Sequence, residues 1–232
     1  MARARVSHCV FDMDGLLLDT ERLYSVAQQR VCDRFGKVFT AEVKAEMMGK
    51  RSLESAEAFV HGMGLQGQLS PEAFLAERDA HLQQMFPTAA LMPGVERLLN
   101  HLHTNKVPCC IATSSNRRHF ELKTQQHRAL FDRVFCHVVT GDDVSHGKPH
   151  PEIFLSAAAI FASKPSPSEC LVFEDAANGI AAAASGGFPS VFVPTIDPEE
   201  GSAAASAEGS QGECIKSLAD FCPETWGLPP FS

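Results

Sequence analysis

Val10-Phe11-Asp12-Met13-Asp14-Gly15, close to the amino terminus, is the stretch from which the fold can be read. The run from Ser7 to Phe11 is short, mostly apolar and bounded by polarity, which predicts a buried strand. Two carboxylates stand where it ends. Residues two apart on an extended chain project the same way, so Asp12 and Asp14 can share one small volume. Gly15 then lets the backbone turn. Like charges held this close need a counter-cation or a shared proton, and a hard divalent cation with oxygen ligands, Mg²⁺, suits them. Taken alone, the same residues describe a strand end followed by an acidic turn, so the rest of the chain has to decide.

From Leu16 to about Pro87 the character changes. Apolar residues recur at helical spacing in Leu23, Val26, Ala27 and Val31, in Val43, Met47 and Met48, and in Leu53, Ala56, Phe59 and Val60. Ser70-Pro71-Glu72-Ala73 is a helix start, with Ser70 as cap and Pro71 at the first position. This is an all-helical block over residues 17–87. Pro93-Gly94 punctuates the exit, and Val95 to His103 is helical. Strands and helices then alternate. Strands are predicted at Val107–Thr113, Val134–Thr140, Cys170–Phe173 and Ser190–Val193. Helices are predicted at Arg118 to about Ala129, Pro151–Ala162 and Asn178–Ser185. That order predicts an α/β core, a Rossmann-like parallel sheet with helices on both faces. The core takes residues 1–16 and 88–232, and an all-helical domain is inserted between them. Glu199 to Glu213, rich in Ser, Ala, Gly and Glu, reads as a mobile loop. Ile215 to Phe221 can hold a last short strand and turn.

The 232 residues are 44% apolar and 21% charged, an ordinary globular composition with a core large enough to need no staples. A net charge of −8 argues against nucleic acid or an anionic membrane as the main partner. No apolar run approaches the length of a membrane span, and Met-Ala-Arg-Ala-Arg lacks the apolar core of a signal peptide. The eight cysteines form no C-x-x-C pair. Cys9, Cys109, Cys110, Cys136 and Cys170 fall in apolar strand-like runs, where reduced thiols serve as small hydrophobes. That usage suits a reducing, cytoplasmic compartment. No obvious apolar stripe is left over, which favours a monomer.

Parallel sheets bind ligands beyond the carboxyl ends of their strands. The first strand ends in Asp12 and Asp14. The second ends in Thr113-Ser114-Ser115-Asn116, whose hydroxyls and free amides can cradle an anion or simply cap a helix. After the third comes Gly147-Lys148-Pro149, a loop lysine that can serve as a point charge for phosphate or lie on the surface. The fourth ends in Glu174-Asp175, which can complete a metal site with Asp12 or act as an acidic cap. Each signal is weak alone. Together they supply a nucleophilic carboxylate, a second carboxylate, a cation site, hydroxyl and amide donors and an ammonium, the parts needed for phosphoryl transfer through an aspartyl-phosphate. His146 and His150 flank Lys148 and read as exposed loop histidines. His61, His81, His101 and His103 have no partner at ligand spacing, so the histidines predict no metal site.

These four motifs, in this order, resemble the haloacid dehalogenase superfamily: Asp12-Met13-Asp14-Gly15, Ile111-Ala112-Thr113, Lys148-Pro149 and Glu174-Asp175. The helical block resembles that family's cap domain of the first type. The resemblance implies an Mg²⁺-dependent phosphatase acting on a small phosphomonoester such as a nucleotide-like, sugar, glycerol or flavin phosphate. A sugar phosphomutase of the same fold is the neighbouring reading. By resemblance, Asp12 is the nucleophile and Asp14 the general acid and base. Mg²⁺ is held by Asp12, the backbone carbonyl of Asp14, Asp175 and Glu174. Thr113, the Ser114 amide and Lys148 bind the phosphate, and Asn178 steadies the metal loop. Glu21, Tyr24, Lys50 and Arg51 of the cap are the candidates for substrate selectivity.

Overall fold

The computed structural model describes residues 5–47, 52–194 and 212–231. The chain divides into two compact units, one of residues up to Asp19 and from Ala90 onward, the other Thr20–Ala89. Lys50, Arg51, Met48 and most of the Ser/Ala/Gly-rich segment lie outside the described residues.

The first unit is built on a six-stranded parallel sheet in the order β3-β2-β1-β4-β5-β6. The strands are β1 (His8–Phe11), β2 (Cys109–Ala112), β3 (Phe135–Val139), β4 (Cys170–Glu174), β5 (Ser190–Phe192) and β6 (Gly212–Cys214). Residues of β1, β2 and β4 are buried throughout, which is why their sequences read as continuous apolar runs without alternation. The chain moves outward from β1 through β2 to β3, then crosses back to β4 on the other side of β1. A crevice for a ligand opens where the winding reverses, and here that point is the carboxyl end of β1.

One face of the sheet packs Val10, Cys110, Ala112 and Val172 against Ile153, Phe154 and Ala157 of α8 (Glu152–Ile160) and Ala182 and Ala183 of α9 (Ala177–Ser185). On the other face Phe11 stacks on Phe173 with centroids 4.6 Å apart, and Phe221 meets Phe173 edge-on at 4.9 Å. Each of these buried rings contributes on the order of 2 kcal/mol. The tail beyond Phe221, for which the sequence pattern predicts no structure, also packs against this unit. Trp226 is fully buried, and its indole Nε1 donates to Glu213 Oε2 at 2.9 Å. Its carbonyl accepts from Val6 N at 3.0 Å, just ahead of β1.

Three details depart from the sequence pattern. The last strand is Gly212–Cys214, upstream of the segment expected to hold it, because these residues pair with Ser190–Phe192 at the sheet edge; the turn expected in that segment is present, as a single 3₁₀ turn at Leu218–Asp220. The helix expected over 118–129 is two: α6 (Arg117–Thr124) and α7 (Arg128–Val134), separated by a 3₁₀ turn at Gln125–His127. The break redirects the chain so that Phe131 meets Phe135 edge-on at 5.3 Å. Cys136 is exposed, because β3 is an edge strand with one face partly open.

The second unit consists of α1 (Thr20–Asp33), α2 (Ala41–Met47), α3 (Ser52–Gly62) and α4 (Pro71–Met85). Its core gathers Val31, Val43, Met47, Ala56, Phe59, Leu65 and Phe74, with Phe59 stacked on Phe74 at 3.9 Å. Ser70 Oγ accepts from Ala73 N at 3.1 Å, the expected cap at the start of α4. Val26 and Leu53 are exposed, so the expected apolar faces narrow to Leu23, Ala27 and Val31 in α1 and to Ala56, Phe59 and Val60 in α3. Between Gly94 and the sheet, α5 (Val95–Thr104) returns the chain to the first unit, burying Leu98, Leu99 and Leu102.

Candidate active site

The end of β1 is pinned before it turns. Asp12 N donates to Phe173 O at 3.0 Å, extending the pairing with β4 by one residue. Gly15 then takes a φ of 79°, the left-handed region that favours glycine, and its N–H donates to Leu18 O at 2.9 Å. This geometry delivers Asp12 and Asp14 to one end of the sheet, but to different partners.

Asp12 is buried, with 6% of its surface exposed. Lys148 Nζ donates to Asp12 Oδ1 at 2.6 Å, to Glu174 Oε1 at 2.5 Å and to Ala112 O at 3.3 Å. Glu174 Oε2 accepts from Ala176 N at 2.9 Å, so both carboxylate oxygens have defined donors. One oxygen from each of Asp12, Glu174 and Asp175 lies within 4.8 Å of the others. Burial pushes the Asp12 carboxyl up to about 7; Lys148 pulls against this, while Glu174 and Asp14 push the same way. For Lys148, burial disfavours the ammonium, but Asp12 and Glu174 outweigh it and the group is held above its ordinary range. Three carboxylates around one ammonium leave a surplus of negative charge among hard oxygen donors. That is a fitting place for a cation of the Mg²⁺ type.

Gly179 in α9 shows how closely this cluster is packed. A Cβ at that position would stand 1.8 Å from Glu174 Oε1 and 2.0 Å from its Cδ. The helix can approach the carboxylate only because residue 179 has no side chain.

Asp14 is served by a second lysine. Lys123 of α6 is fully buried, and its Nζ donates to Asp14 Oδ1 at 2.6 Å and to Ser115 Oγ at 2.8 Å. Ser115 Oγ donates to Asp14 Oδ2 at 2.8 Å, and Thr113 Oγ1 reaches the same oxygen at 3.4 Å. Thr113 Oγ1 in turn accepts from Ser115 N at 3.1 Å. The like-charge problem posed by the sequence is therefore met in the protein itself by two ammonium groups, one for each carboxylate. The Asp14 side chain faces this network and is not part of the Asp12, Glu174 and Asp175 grouping.

Lys123 is not a candidate on sequence grounds, and Ser115 is one only as a hydroxyl of the Thr113–Asn116 anion cradle, not as a partner of Asp14. One weak signal for Lys123 existed: apolar Phe120 stands three positions before it on the same helix, and residues three or four apart share a helix face. Ser114, the expected amide donor, sits in a loop held from below. Gly141 N donates to Ser115 O at 2.9 Å, and a Cβ on Gly141 would stand 2.5 Å from Ser114 O. In the helical unit, Glu21 Oε2 lies 3.7 Å from Lys44 Nζ. Tyr24 meets Phe86 edge-on at 5.8 Å, with the Arg78 guanidinium 5.8 Å from its centroid. His146 and His150 are exposed loop histidines, as expected, and with Glu152 they bring three donor atoms within 4.8 Å of one another. Among the described residues no helix is long and apolar enough to cross a membrane.

Comparison with known proteins agrees with this geometry. Residues 6–187 match the haloacid dehalogenase-like hydrolase family. The chain is 48% identical to (DL)-glycerol-3-phosphatase 2 of Arabidopsis thaliana over 99% of its own length and 94% of that protein's. It is 47% identical to a Drosophila melanogaster protein named "Probable pseudouridine-5'-phosphatase", over 98% of its length and 96% of the other's. A crystal structure of a HAD family hydrolase from Deinococcus radiodurans, with bound phosphate and sodium, shares the fold with a TM-score of 0.78. That likeness covers 98% of this chain and 99% of the other at 24% identity. The chain therefore belongs to the haloacid dehalogenase-like hydrolases and is a phosphoric monoester hydrolase.

Proposed function

We propose that the chain hydrolyses a small phosphomonoester through a phosphoryl group carried on Asp12, with Mg²⁺ as cofactor. The observation that carries this reading is the division of the two carboxylates. Asp12 is buried against Lys148 within a cation-favouring cluster, and Asp14 is held apart by Lys123 and Ser115. This division supports a reading in which Asp12 attacks and Asp14 transfers the proton. An Asp12 oxygen attacks phosphorus while the bond to the leaving oxygen breaks, and Asp14 gives that oxygen its proton. Asp14 then takes a proton from the water that attacks the aspartyl-phosphate, releasing phosphate and restoring Asp12. Lys148 and the hydroxyl of Thr113, with the Ser114 amide, offset charge on the transferring oxygens. Asp12, Asp175 and Glu174, with the Asp14 carbonyl, would hold Mg²⁺, whose chemistry is charge neutralisation at the phosphoryl oxygens. Asn178, in the first turn of α9, is assigned to steadying the metal loop.

We assign pseudouridine 5′-phosphate as the leading substrate. Phe11–Ser25, Met48-Gly49-Lys50, Phe86–Gly94, His146–Pro149 and Leu171–Ala176 resemble pseudouridine-5′-monophosphatase. Glycerol phosphate is the second reading, favoured by the 48% identity to the Arabidopsis glycerol-3-phosphatase. Selectivity between them is assigned to Glu21, Tyr24, Lys50 and Arg51. The test is phosphate release with Mg²⁺ from pseudouridine 5′-phosphate, uridine 5′-phosphate, glycerol phosphate, hexose phosphates and flavin mononucleotide. Preference for pseudouridine over uridine phosphate supports the assignment. Preference for glycerol phosphate replaces the substrate and keeps the chemistry. Isomerisation of a sugar phosphate without phosphate release would make the chain a mutase.

A further inference from the structure

The loop that carries Lys148 holds a second group of metal donors, of a different chemical kind from the carboxylate cluster. His146 Nδ1 stands 2.8 Å from Glu152 Oε2, and His150 Nδ1 stands 3.8 Å from the same oxygen. The two imidazoles lie 4.6 Å apart with a 34° tilt. All three residues can place a donor atom within 4.8 Å of the others. Glu152 is fixed in place, because its Oε1 accepts from Ser145 N at 2.8 Å and its Oε2 from His146 N at 2.9 Å. His150 Nδ1 accepts a long hydrogen bond from Glu152 N at 3.3 Å.

We infer that His146, His150 and Glu152 form a surface site for a borderline-soft divalent cation of the Zn²⁺ class. Imidazole nitrogens with one carboxylate suit Zn²⁺, whereas Mg²⁺ favours oxygen donors alone. Zn²⁺ takes its nitrogen and oxygen ligands at about 2.0–2.2 Å in tetrahedral geometry, which sets them roughly 3.3–3.5 Å apart, so His146 Nδ1 and Glu152 Oε2 must part slightly and His150 Nδ1 must move in slightly to bind. The ion replaces the proton shared between His146 Nδ1 and Glu152 Oε2, and that ring proton moves to Nε2. His150 Nδ1 gives up its long contact to the Glu152 amide. Water completes the coordination, since both histidines are open to solvent, with side chains 65% and 52% exposed. His146 and His150 bracket Gly147-Lys148-Pro149, so a bound ion ties together the two ends of the turn that presents Lys148. This inference stands on the loop geometry and is independent of the substrate and of the roles assigned to Asp12 and Asp14.

The test is isothermal titration of the full chain with Zn²⁺ in saturating Mg²⁺, which occupies oxygen-only sites. The variants are His146→Ala, His150→Ala, and Cys136→Ser with Cys222→Ser, because these two exposed thiols are the rival ligands. The expected result is Zn²⁺ binding to the native chain that weakens on the order of ten-fold or more in each histidine variant and persists in the cysteine variant. Absence of Zn²⁺ binding to the native chain would overturn the site. So would binding unchanged in both histidine variants, or binding lost in the cysteine variant alone.

Discussion

Lys123 Nζ meets Asp14 Oδ1 at 2.6 Å across 109 positions of sequence, and the lysine is completely buried. An ammonium in such a place is stable only with its carboxylate. Lys123→Met removes the charge at similar length and leaves Asp14 with Ser115 and Thr113. Breaking a buried pair from one side costs about 3–5 kcal/mol, so chemical denaturation should register a loss of about that size. Because Asp14 also loses the group that orients it, kcat should fall about ten-fold or more with KM little changed. Unchanged kcat would show that Lys123 serves packing alone.

Gly179→Ala addresses the carboxylate cluster from behind. The new methyl would overlap Glu174 Oε1, and Glu174 must swing away from Lys148 or the helix must retreat. Mg²⁺ affinity, measured by calorimetry, should fall about ten-fold or more. The same change at Gly147, where a Cβ meets nothing within 4 Å, should leave affinity unaltered.

The proton on Asp12 gives a pH dependence with a definite sign. Burial raises this carboxyl to about 7 in the metal-free protein. A cation binds the ionised form, so below that value it must displace the proton. Mg²⁺ affinity should therefore climb as pH rises toward about 7 and level off above it. In the unfolded chain Asp12 ionises at lower pH, so this group's contribution to metal-free stability declines as pH rises between the two values. Asp12→Asn should flatten both trends, as followed by calorimetric titration and thermal melts across pH.

Asp14 as general acid makes a prediction about leaving groups. Para-nitrophenol needs no protonation to depart, whereas an alkyl oxygen does. Asp14→Asn should thus depress kcat/KM, which reports the step in which the leaving group departs, by a further factor of about 10²–10⁴ for an alkyl phosphomonoester relative to para-nitrophenyl phosphate. Equal losses of kcat/KM on both substrates would assign Asp14 to positioning in that step instead.

The central strands β1, β2 and β4 were legible because each is buried throughout and reads as a mostly apolar run ending in polar residues; His8–Phe11 and Cys170–Glu174 are the plainest cases. The residues gathered at their carboxyl ends were legible for the same reason, since parallel topology brings separated loops to one edge. Lys123 was not, because a lone lysine on a helix is ordinarily solvated and its partner lies far away in sequence. Trp226 was missed because its burial depends on Glu213 and on the chain ahead of β1, with no local periodicity to announce it. His146, His150 and Glu152 come together through a turn whose path the pattern of residue types does not specify.

The central claim is that the phosphoryl group passes through Asp12. The most direct measurement mixes enzyme, Mg²⁺ and a turned-over phosphomonoester, quenches in acid during the first turnover, and maps the modified peptide by mass spectrometry. The expected result is a phosphoryl group on the peptide containing Asp12, absent in chelator and absent in Asp12→Asn, whose phosphate release should also be abolished. Steady phosphate release with no label on Asp12, or release that survives Asp12→Asn, would contradict the account.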